Sequence, residues 1–130
     1  MKINGHDISA EGFLPNCTES NGVALKEPEE QQIALATGWL RLFAKPLKRV
    51  SRTRGTSYTL KHHVEHWARS ENVADPYVSN GAFIVAALRL GYAFRRDGYV
   101  FRPDGGRRYS SKNCYFNISV SSAGLRDMEG

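Results

Sequence analysis

The sequence predicts an α+β domain, with about three helices packed on a small antiparallel sheet of about three strands. Three observations lead there. Apolar residues recur at spacings of three and four between Ile33 and Phe43, and again between Leu60 and Ala68. The segment Ala82 to Leu90 carries one charge, Arg89, and reads as a helix apolar all round. Beyond it the pattern changes to alternation, broken by turn residues. At 130 residues the chain is long enough for one core, and residues 1–130 read as a single domain.

The elements follow in order. Asn4-Gly5, inside Lys2 to Ile8, predicts a small hairpin. Residues 9–26 mix Gly, Pro, Asn, Ser and Thr without a period and read mostly as loop. The first helix is predicted to start at Pro28, among Glu27, Glu29 and Glu30, which suit the positive end of its dipole. Ile33, Ala36, Trp39, Leu40 and Phe43 form its apolar stripe, and Pro46 is expected to stop it near Lys45. Residues 45–54 then read as a basic loop. Thr56 or Ser57 caps a second helix whose stripe is Leu60, Val64, Trp67 and Ala68; Lys61, His62, Glu65, His66 and Arg69 fall on or near the opposite side. That helix is expected to end between Ser70 and Asn72. The third, central helix, residues 80–90, is capped by Ser79 or Asn80, ends at Gly91 and is predicted to be buried.

Asp97-Gly98 predicts a hairpin with Phe94 opposite Phe101 and with Tyr92 and Tyr99 on the same face. Residues 103–113 read as polar loop. Cys114, Phe116, Ile118 and Val120 alternate with Tyr115, Asn117 and Ser119, as in a half-buried strand. Residues 121–130 read as a loose tail.

Composition excludes several classes. With 41% hydrophobic and 11% aromatic residues the chain is not a disordered one. No uncharged apolar run approaches membrane-spanning length, so no membrane partner is expected. Met1 to Asp7 has no apolar stretch after its single Lys, so no secretory signal is expected. That predicts a cytoplasmic protein with Cys17 and Cys114 as thiols rather than a disulfide. Gly-x-Ser-x-Gly, phosphate-loop and Gly-x-Gly-x-x-Gly patterns are absent, and carboxylates are sparse in the basic half, so no enzyme and no cofactor is expected. His62 and His66 share a helix face at the i, i+4 spacing of half a zinc site, but no spacing specifies a third ligand. They read as a polar face without metal, with His63 at the half-buried boundary.

Charge is unevenly placed. The net is +5, yet residues 1–40 carry two basic side chains against six acids, and residues 41–112 carry 15 against five. A block this basic attracts phosphates or acidic faces. Two groups stand out: Lys45, Lys48, Arg49, Arg52 and Arg54, then Arg95, Arg96, Arg102, Arg107, Arg108 and Lys112. They are the candidate nucleic-acid-binding residues, acting through basic loops 45–54 and 95–112. Phosphate contacts of this kind give affinity and salt dependence with weak sequence preference. The order helix, helix, hairpin invites comparison with a winged helix-turn-helix, but the third helix is too apolar to read a groove. Exposing Phe83, Ile84 and Leu88 would forfeit roughly 1.5–3 kcal/mol each. Tyr92, Phe94, Tyr99 and Phe101 are more naturally core than a base-stacking platform; Tyr109 and Tyr115 are freer to stack.

Ser57 to Glu65, followed by Tyr77 to Ala87, resembles a pattern found in small uncharacterised proteins of phages, plasmids and integrative elements. The likeness covers residues 57–120. It implies a mobile-element role, as a DNA-binding accessory protein or an anti-CRISPR-type inhibitor, and carries over no catalytic residue. The expected function is therefore a non-enzymatic nucleic-acid-binding accessory protein, its partner DNA or RNA. The alternative is an inhibitor that docks on an acidic or nucleoprotein target of the host defence. Phe13 and Leu14 are apolar residues that serve either the core or a dimer, and the oligomeric state stays open.

Overall fold

The computed structural model describes residues 1–13, 26–96, 98, 100–101, 107–108 and 112–125, with 100–101 and 107–108 described by backbone alone. Among these residues the chain forms three helices and two small three-stranded antiparallel sheets, an α+β fold. The predicted first hairpin is present. β1 (Lys2–Ile3) and β2 (His6–Ser9) flank Asn4 at φ 52° and Gly5 at φ 82°, the left-handed pair that a two-residue turn requires. β3 (Gly12–Phe13) adds a third strand inside the stretch read as loop. Phe13 is buried there, a core residue. Leu14 and Cys17 lie outside the described residues.

α1 (Glu30–Phe43) begins two residues later than Pro28 predicts and buries Ile33, Ala36, Trp39 and Leu40. It does not run on to Pro46. The chain turns extended at Ala44 and enters β4 (Ala44–Ser51), so most of the predicted basic loop is a strand. β4 lies at one edge of its sheet, paired with the segment Cys114–Val120, and an edge strand tolerates a proline that donates no hydrogen bond. Two further helices follow, α2 (Ser57–Ser70) and α3 (Asn80–Arg89). α2 ends on Asn72 at φ 60°, with Val73 N–H donating to the Ala68 carbonyl. Ser79 is the cap of α3, its hydroxyl accepting from Ala82 N–H at 3.1 Å. Tyr92 N–H donates to the Ala87 carbonyl around Gly91 and closes its other end.

Every residue of α3 from Asn80 to Leu88 is buried. The helix contacts α1, α2 and all three strands of the N-terminal sheet. Phe83 carries the core onward, its ring 6.1 Å from Trp39 and 5.8 Å from Phe116. Arg89 leaves the core and forms two 3.0 Å hydrogen bonds to Glu30, tying the end of α3 to the start of α1. Hydrogen bonding to Arg89 holds the Glu30 carboxyl below its ordinary pKa. A depressed carboxyl contributes stability above its unfolded-state value and loses it as pH falls through the folded value. Wild type is therefore expected to exceed Glu30→Gln in urea midpoint at neutral pH, and the two are expected to converge under acid.

β5 (Phe94–Arg96) departs from the predicted hairpin. It pairs with β8 (Cys114–Val120), so Phe94 stands opposite Phe116 and not Phe101. β6 (Val100–Phe101) pairs instead with β7 (Arg107–Arg108). The reason lies in β8, whose Cys114, Phe116, Ile118 and Val120 are all buried and offer Phe94 a place in the core. The predicted tail is also partly structured. Ser122–Gly124 forms a 3₁₀ turn, and the Gly124 carbonyl accepts from the buried Trp39 indole at 3.2 Å. Residues 126–130 lie outside the described residues.

The face of α2 expected to be solvated is partly buried. Lys61 is 5% exposed and Glu65 7%. The connection from α2 to α3 folds over them: Val78 N–H donates to Glu65 Oε2 at 3.0 Å, and the Lys61 ammonium lies 4.8 Å from the Tyr77 ring centroid.

Candidate nucleic-acid interface

The alternation of β8 gives the sheet two faces. Cys114, Phe116, Ile118 and Val120 point into the core, so Tyr115, Asn117 and Ser119 point outward. Directly opposite residues of an antiparallel pair share a face. Lys45, opposite Ser119, and Arg95, opposite Tyr115, therefore lie on the outward face. Arg52 reaches the same place: its guanidinium carbon is 5.2 Å from the centroid of the Tyr115 ring. Asn117 fastens the centre. Its side chain accepts from Ala93 N–H at 2.7 Å and donates to the Leu47 carbonyl at 2.9 Å, bridging the strands on either side.

β4 carries a large irregularity. From Pro46 to Ser51 it advances five residues while β8 moves two, from Ile118 to Phe116. The surplus residues stand off the sheet, and Leu47, Lys48 and Arg49 are exposed. Arg54 follows in the turn before α2, also exposed. None of β4, β5 and β8 contains an Asp or Glu. Among the described residues, Lys45, Lys48, Arg49, Arg52, Arg54 and Arg95 form no ion pair with a carboxylate.

In the second predicted group, Arg95 and Arg96 lie on opposite faces of the sheet. Lys112 is paired with Glu11, so its charge is already neutralised. Arg96 stands opposite Cys114, on the inward face, with its guanidinium carbon 4.9 Å from the Phe13 ring centroid. Arg107 and Arg108 lie in β7. Arg102, Tyr99 and Tyr109 lie outside the described residues. Phe94 stacks on Phe13 at 5.1 Å, and Tyr92 packs against the core, as the core reading of these rings expects. Tyr115 is the aromatic side chain that the described outward face retains.

His62 and His66 find no third ligand: among the described residues no group of three His, Cys, Asp or Glu side chains converges. His62 Nδ1 instead lies 3.0 Å from Glu65 Oε1. Asn117 and Ser119 were not singled out from sequence, although the alternation of β8 places them beside Tyr115. No family model, curated protein or solved structure matches the chain.

Proposed function

We propose that this chain is a non-enzymatic nucleic-acid-binding accessory protein of a mobile genetic element. It would hold phosphates on the outward face and bulged edge of the β4–β8–β5 sheet. One observation carries the reading: Lys45, Arg52 and Arg95 share that face with Tyr115, and among the described residues no carboxylate pairs with them. Unpaired cations beside a ring suit a phosphate backbone with a base laid against the ring. The mobile-element role rests on the resemblance carried by Ser57–Glu65 and Tyr77–Ala87.

Binding to DNA or RNA is expected to weaken with salt by about −0.7 to −0.9 in log–log slope per phosphate contacted. The Arg52→Glu/Arg95→Glu variant is expected to lose about two orders of magnitude in affinity and to show a shallower slope. Anisotropy titrations at several salt concentrations measure both. Unchanged affinity in that variant, with its thermal melt intact, removes the sheet face. The second reading, a protein–protein inhibitor of a host defence complex, then takes its place. Tyr58 and Tyr77 favour it: they are 51% and 53% exposed, and Tyr is enriched where protein partners anchor.

A further inference from the structure

Arg52 belongs to two places at once. Besides meeting Tyr115 on the sheet, it lines an open cleft of about 470 Å³ with Thr53, Arg54, Gly55, Thr59, His63 and Leu125. That volume lies within the range of small-molecule sites, about 300–1,000 Å³. Among the described residues no carboxylate lines the cleft. Two guanidiniums, an imidazole and two hydroxyl-bearing side chains do. Gly55 keeps the floor close to Thr59: a Cβ at residue 55 would lie 2.9 Å from the Thr59 hydroxyl oxygen.

This composition selects a particular phosphate. A phosphomonoester carries about −1.5 to −2 charges at neutral pH and suits a pair of arginines. A phosphodiester inside a strand carries one charge, and chain must leave the cleft on both sides of it. We propose that the cleft takes the terminal phosphate of a single nucleic-acid strand, with the adjoining base on Tyr115 and Arg52 contacting both. The assignment rests on the sheet-face reading above and deepens it, naming a phosphate-ended single strand as the ligand.

The test uses the full chain and one short oligonucleotide made with hydroxyl ends, with a 5′-phosphate or with a 3′-phosphate. One phosphate-ended strand is expected to bind about tenfold tighter than the hydroxyl-ended strand. In Arg54→Ala that ratio is expected to fall to about one. Arg95→Ala, outside the cleft lining, is expected to weaken all three strands and to keep the ratio. Equal binding of all three strands by wild type overturns the cleft assignment and leaves the sheet face standing. A preference that survives Arg54→Ala also overturns it. Failure to bind any strand overturns both.

Discussion

Replacing Gly81 by alanine is expected to destabilise the domain by about 3 kcal/mol or more, at or beyond the top of the usual cost of overpacking. A Cβ there would lie 1.7 Å from the Ser9 carbonyl oxygen, and backbone cannot swing aside as a side chain can. Ser9 is held in place. It pairs with Gly12 across β2 and β3, while Ala10 N–H donates to the Lys26 carbonyl. Gly81 N–H itself donates to the Ala10 carbonyl at 3.0 Å, so retreat of the helix would also break that bond. The same substitution at Gly38 is expected to act in the opposite direction. Gly38 lies inside α1, and among the described residues a Cβ there meets only Trp67, at an ordinary 3.7 Å. Its replacement gains up to about 1 kcal/mol of helix propensity. Urea midpoints of the two variants against wild type decide the matter. A Gly81→Ala midpoint equal to wild type would mean that α3 does not press on the β2–β3 turn.

Glu65→Ala is expected to cost about 3–5 kcal/mol, because it leaves Lys61 buried without its counter-charge. Lys61 Nζ is 3.1 Å from Glu65 Oε2, and the same oxygen accepts from Val78 N–H. Removing the carboxylate therefore strands an ammonium and a backbone donor together. The double variant Lys61→Met/Glu65→Gln is expected to recover most of the loss, since glutamine still offers Val78 an acceptor and methionine needs none. Urea denaturation of the two variants against wild type measures both costs. Equal costs for Glu65→Ala and Lys61→Met/Glu65→Gln would show that a stranded Lys61 ammonium is not the source of the loss.

What the sequence discloses divides along physical lines. α1, α2 and α3 are legible because their apolar residues repeat with the helical period, and β8 because its core residues alternate. β4 is not legible: Lys45, Pro46, Lys48 and Arg49 have no inward side to display, since an edge strand pushed out over five residues loses the period of two. The partner of β5 is not legible either. Asp97-Gly98 argues locally for a hairpin, whereas β8 offers Phe94 a half-buried seat against the core that no local rule weighs. On α2, Lys61 and Glu65 read as solvated because the periodicity of a helix says nothing of a later segment that folds across it. The candidate interface shows the same division. The basic residues are plain in the sequence, but only the pairing register decides that Arg95 shares a face with Tyr115 while Arg96 turns inward. The pairing of Lys112 with Glu11 joins residues 101 positions apart, beyond any local pattern.

The outward step of β4 also bears on how this edge would meet a second copy of the chain. A straight, bare strand at the rim of a sheet is a template on which an identical strand from another molecule can continue the ladder. Here Leu47, Lys48 and Arg49 interrupt that template in mid-course, and the two cations repel the matching pair on any incoming copy. An edge interrupted in this way is a poor start for such a ladder.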